Sequence, residues 1–98
     1  MSKLEAECAM NLDFRLKARK GDPLKIIWWK RQIRVPLDIG KHHICDYIVD
    51  FQYKKEDGTI VYQEAKGIET DVYKIKRKLF EALVLSDSKG IEYEVIKR

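Results

Sequence analysis

The stretch Tyr47 to Lys66, YIVDFQYKKEDGTIVYQEAK, decides how the rest of the chain is read. β-Branched and aromatic residues lie on both sides of Glu56-Asp57-Gly58, which is turn material. The pattern predicts two antiparallel strands, His42 to Lys54 and Thr59 to Lys66, joined as a hairpin. Two connections compete. A two-residue Asp57-Gly58 turn pairs Asp50 with Ala65 and puts Asp50 and Glu64 on opposite faces. A three-residue loop, with Gly58 supplying the left-handed residue of a bulge, pairs Lys55 with Thr59 and Asp50 with Glu64. A slip of one residue turns every side chain to the other face, so register decides whether the two carboxylates can meet.

In the second register two acids face each other across the strands, an arrangement that destabilises a sheet unless a cation or a shared proton joins them. Lys66 follows Glu64 by two residues and falls on the same face. Two carboxylates and a backbone carbonyl, which Ala65 could supply, suffice to hold a hard cation such as Mg²⁺. A metal there would polarise a phosphodiester and acidify a bound water, with the Lys66 ammonium orienting that water or offsetting charge. The plain alternative is that Asp50, Glu64 and Lys66 are ordinary surface charges, since E-x-K is a common tripeptide.

Working outward, Leu4, Cys8, Leu12 and Leu16 recur every four positions and predict an amphipathic helix from Ser2 to about Lys20, ended by Gly21-Asp22-Pro23. Ser2 and Glu5 have capping-box spacing. Glu5 also falls inside the apolar stripe, where a charge needs a partner; a metal shared with Asp50 and Glu64 would serve, and fraying into solvent is the bland alternative. Lys25 to Leu37 reads as a strand, bulged, that closes at Pro36, with Trp28 and Trp29 on opposite faces. A helix capped by Thr70 or Asp71 runs to about Leu85 with Val72, Ile75, Leu79, Ala82 and Leu83 as its inward stripe, and Ile91 to Ile96 is a last strand. Lys74, Arg77 and Lys78 form a basic outer face on that helix. Lys76 lies among apolar positions, either snorkelling to solvent or reaching over the sheet edge towards phosphate. His42 and His43 read as loop residues, and Asp46 stands about 13 Å along the strand from Asp50.

Composition sets limits rather than a function. The 98 residues suit one domain, 1–98, with one modest core, and 45% apolar against 37% charged residues is globular. No run approaches the roughly 18 apolar residues of a membrane span, and Met1 to Met10 lack a secretory segment, so the expected location is intracellular, in the cytoplasm. Cys8 and Cys45 form no CxxC pair and read as idle thiols. The net charge of +4 is compatible with nucleic acid without requiring it.

The runs SKLEAE, RQIRVPL, YIVDFQY and EAKGIETDVYKIKRKLFEA resemble the PD-(D/E)XK nuclease superfamily, and more closely a phage-associated family of Holliday-junction resolvases and endonucleases. The resemblance covers essentially the whole chain. It implies an α/β fold with a mixed sheet and a restriction-endonuclease-like αβββαβ core. It also implies metal binding by Asp50 and Glu64, a catalytic Lys66, a helical acid at Glu5, and a Gln32 amide facing the site. Val49 stands where the name motif has Pro, a position loosely kept in the superfamily. The expectation is a Mg²⁺-dependent endonuclease, with Mn²⁺ as a substitute, that cuts DNA, including branched DNA, as a homodimer. Gln32, Lys74, Lys76 and Arg77 would contact the DNA. The alternative is a non-catalytic basic module that binds nucleic acid or a protein through Lys74, Arg77 and Lys78.

Overall fold

Ser2 starts the first helix by accepting the Glu5 N–H on its hydroxyl at 3.1 Å, which satisfies one of the amides that a helix leaves unpaired. The computed structural model describes residues 2–66, 70–85 and 89–97. Helix α1 spans Lys3–Leu16 and buries Cys8 and Leu12, with Leu4 and Leu16 packed beside them. It stops four residues before the expected end. Beyond Leu16 the sequence Lys-Ala-Arg-Lys offers no further apolar residue to the stripe, and Lys25 caps the Leu16 carbonyl with its ammonium. Arg15 Nε fastens the returning chain by donating to the Leu24 carbonyl at 2.9 Å.

Strand β1 (Ile26–Ile39) and strand β2 (His42–Lys55) form one long antiparallel ribbon, turned at Gly40-Lys41, where Gly40 has a φ of 61°. The ribbon continues through Pro36, which pairs with Asp46, instead of closing there. β1 is an edge strand, so the N–H that proline lacks is not needed by a neighbour. Strand β3 (Ile60–Lys66) pairs antiparallel with β2, and strand β4 (Ile91–Lys97) lies parallel to β3, giving a mixed sheet in the order β1-β2-β3-β4. The helix-containing crossover from β3 to β4 carries α2 (Asp71–Phe80) and a π-helical turn, Glu81–Leu85. The fold is therefore mixed α and β.

The β2–β3 connection is the three-residue loop. Lys55 N–H donates to the Thr59 carbonyl at 2.9 Å, Gly58 N–H to the Lys55 carbonyl at 3.1 Å, and Gly58 has a φ of 94° that favours glycine. Lys54 then pairs with Ile60, Tyr53 with Val61 and Phe51 with Gln63.

Alternation along β3 separates two cores. Val61 and Ala65 pack under α1 with Cys8, Leu12, Ile26, Phe51 and Tyr53, whereas Tyr62 faces the α2 side with Tyr47, Val49, Leu37, Tyr73 and Phe80. The inward face of α2 is the expected one only in part: Leu79 and Leu83 pack on the core, and the other three positions of the stripe do not. Val72 is 62% and Ile75 61% exposed, and Ala82 is exposed too, while Tyr73 and Phe80 are buried. Two aromatic rings one heptad apart bury more surface than the aliphatic stripe, and Tyr73 finds a hydrogen-bond partner for its hydroxyl inside. After Phe80 the π-helical turn adds a residue to the repeat and rotates the face, so Leu83, Val84 and Leu85 all reach this core.

Candidate active site at the bend of the ribbon

Arg31 pairs with Phe51 and Ile33 with Val49, but Gln32, which lies between them on β1, has a φ of 54°. It is the one non-glycine residue with positive φ among the described residues, and Asp50 is its counterpart on β2. A left-handed residue in a strand costs about 1–3 kcal/mol and is kept only where its surroundings hold it. Its effect is visible in the packing. Odd-numbered residues on the turn-distal side, such as Phe51 and Tyr53, belong to the α1 core, and odd-numbered residues past the bend, such as Val49, Tyr47 and Val35, belong to the α2 core. The ribbon changes core at Gln32 and Asp50.

At this bend the β2–β3 ladder ends with Phe51 and Gln63, and side chains take over from backbone pairing. Asp50 N–H donates to Glu64 Oε1 at 3.3 Å, and Ala65 N–H donates to Asp50 Oδ2 at 2.9 Å. Each carboxylate thus binds the backbone of the opposite strand, next to the other acid. Glu64 has 0% exposure, whereas Asp50 is half-buried. The pair bears on both cores. Cys8, under α1, has its thiol pushed up first by burial and then by Asp50, with Glu7, Glu94 and Glu5 contributing. Tyr47 and Tyr93, under α2, are raised well above the usual phenol range by burial, and Glu64 adds to both.

The other expected site residues are distributed as follows. Glu5 is half-buried on the first turn of α1 and acts on the same thiol as Asp50. Among the described residues no three His, Cys, Asp or Glu side chains gather as a ready metal cage, so Asp50 and Glu64 stand as a pair. Ala65 is buried and contributes its N–H to Asp50. Lys66 ends β3 opposite Lys97, and its side chain lies outside the described residues. Gln32 is exposed. Lys76 is turned back to the sheet, donating to the Asp46 carbonyl at 3.1 Å. Arg77 lies over the Tyr73 ring at 5.6 Å and 3.8 Å from Glu81, while Lys74 and Lys78 are exposed. Asp46 belongs to a separate surface cluster with His43, at 3.3 Å, and Arg34, and both His42 and His43 are paired residues of β2, not of a loop.

Two features escaped sequence reasoning. The first is the hydroxyl chain Tyr47–Tyr93–Tyr73, with oxygens 2.8 and 3.0 Å apart, which joins β2, β4 and α2 and feels the charge of Glu64. Buried tyrosines need such partners, but the sequence does not say which. The second is the left-handed Gln32, for which no residue-type signal exists.

Residues 37–95 match the model of a family described as Protein of unknown function (DUF1064). The chain belongs to this family. The DUF1064 match covers the far part of the ribbon, both site carboxylates, Lys66 and α2, and it leaves out α1 with Glu5 and the Gln32 bend. No curated protein and no solved structure matches the chain. Among the described residues no helix is long and apolar enough to cross a membrane.

Proposed function

We propose that the chain is a metal-dependent endonuclease that hydrolyses DNA phosphodiester bonds, selective for branched structures such as four-way junctions. The observation that carries this reading is the interlocked pair Asp50 and Glu64, set where the ribbon bends and the ladder stops. An all-oxygen donor set of this kind suits a hard cation, Mg²⁺ or Mn²⁺, better than a thiophilic metal. Asp50 and Glu64 would hold it, with Glu5 and the Ala65 carbonyl as further candidate ligands. When bound, the ion would polarise the phosphate and lower the pKa of a water.

The chain's own residues do the rest. The Ala65 N–H fixes one oxygen of Asp50 and leaves the other without a hydrogen-bond partner among the described residues. The Asp50 N–H fixes Glu64 in turn, so both carboxylates are oriented before substrate arrives. Lys66, two residues beyond Glu64 on β3, is the candidate to orient the attacking water. A four-way junction requires two symmetric cuts, which a two-fold homodimer would supply.

The test is cleavage of labelled duplex, flap and four-way-junction DNA with Mg²⁺. Asp50→Asn and Glu64→Gln keep the size of each side chain and are expected to lower cleavage about a hundredfold or more while binding changes little. Wild-type rates in both variants would refute the assignment. Light scattering of the purified protein checks the dimer.

A further inference from the structure

On β1, Trp28 and Lys30 lie on the sheet face opposite Trp29, and across β2 they pair with Lys54 and Gln52. Lys30 Nζ sits 5.1 Å from the centre of the Trp28 ring, so the indole and the ammonium share one face. That face is the α2 side of the sheet, because Gln52 pairs with Tyr62, which packs on Phe80. Trp28 is only half-buried and Lys30 is exposed. Neither Lys30 nor Lys54 meets a carboxylate among the described residues. Trp29 does the opposite work. It packs edge-on against Phe51 and donates to Asp13 at 3.0 Å, so one tryptophan closes the α1 core, while the other, equally half-buried, belongs to neither core cluster.

The strip runs from Trp28 and Lys54 to Lys30 and Gln52, and the bend at Gln32 and Asp50 lies two residues further along the strands, about 7 Å away. A row of cations beside an available aromatic face matches the two needs of an unpaired nucleic-acid strand, neutralised phosphates and a stacking surface for bases. A duplex offers only its phosphates to such a strip. We infer that Trp28, Lys30 and Lys54 form a track for an unpaired stretch of nucleic acid, with a base stacked on Trp28 and phosphates held by the two lysines. The direction of the track towards Asp50 rests on the nuclease reading, which makes this stretch the DNA strand leading into the cut; the binding itself does not. Lys30 moves from ring to phosphate as the base takes its place.

Fluorescence anisotropy in EDTA, where no cleavage occurs, tests the track with a labelled single-stranded deoxyoligonucleotide, the same sequence as duplex, and its ribo version. Trp28→Ala is expected to weaken single-strand binding about tenfold. Trp28→Phe should recover most of that loss, and duplex binding should change less than about twofold. Lys30→Gln with Lys54→Gln, at an exposed and a half-buried position that form no ion pair among the described residues, should reduce the slope of log affinity against log salt by about 1.4. Unchanged single-strand affinity in Trp28→Ala, or an equal loss for duplex, overturns the track, and tighter binding of the ribo strand overturns DNA as its occupant. Parallel cleavage assays separate the two ideas. If wild type cuts nothing but the Trp28 effect is present, the track stands without the nuclease. If Asp50-dependent cutting occurs and Trp28→Ala binds and cuts normally, the nuclease stands without the track.

Discussion

The two halves of the β1–β2 ribbon are built from similar residues and end in different environments. The near half, Ile26 to Arg31 with Phe51 to Lys55, is stitched to β3 and packs under α1. The far half, Ile33 to Ile39 with His42 to Val49, pairs among the described residues with no strand other than its own partner and relies on α2 and the π-helical turn for cover. Between them, among the described residues, stands the left-handed Gln32 beside Asp50. The difference teaches that an arm and a candidate active site arise from the same irregularity. Where the ribbon leaves the sheet, backbone groups lose their ladder, and carboxylates become their partners.

The comparison can be broken most forcefully from the α2 side. Phe80 is fully buried and packs tilted or edge-on against Tyr47, Tyr62 and Tyr93, with ring centres 5.2 to 5.4 Å apart. Phe80→Ala should cost about 3–5 kcal/mol in urea unfolding, and hydrogen exchange should rise in the far half before the near half. Uniform exchange across both halves would mean that the arm does not depend on α2.

A smaller effect is expected at the bend. Gln32→Val places a β-branched residue at positive φ and should destabilise by about 1–3 kcal/mol, whereas Gln32→Gly should be neutral or stabilising. Equal stability for the two variants would remove the strain argument.

The hydroxyl chain gives the far half a pH dependence. Tyr47 and Tyr93 are held protonated in the fold, mainly by burial, with their pKa raised. The unfolded chain loses those protons near pH 10. Stability should therefore be full below that pH and fall as the pH rises past it. Tyr47→Phe removes one titrating group and one hydrogen bond. It should cost about 0.5–1.5 kcal/mol at neutral pH and make the alkaline decline shallower, as followed by thermal melts between neutral and alkaline buffers.

The smallest change is expected where the apolar residues of α2 face outward. Val72→Ser with Ile75→Ser should alter stability by no more than about 0.5 kcal/mol per site. A loss of several kcal/mol would place these residues in an interface.

Much of this was legible in the residues themselves. The order of elements, the apolar face of α1 and the Ser2 and Thr70 caps follow from local periodicity and side-chain chemistry, which act within a few residues. The candidate pair Asp50 and Glu64 was also visible, but as one of two registers, because both turns obey the same local rules. Tertiary packing chose the three-residue loop, in which Phe51 and Tyr53 enter the α1 core together with Val61. Packing also decided which side of α2 is buried, since Tyr73 and Phe80 compete with Val72 and Ile75 only once a sheet is there to receive them. The bend at Gln32 belongs to the same class. A glutamine has no preference for positive φ, so its conformation is imposed by two cores that a single strand must serve at once, and no local sequence signal records that demand.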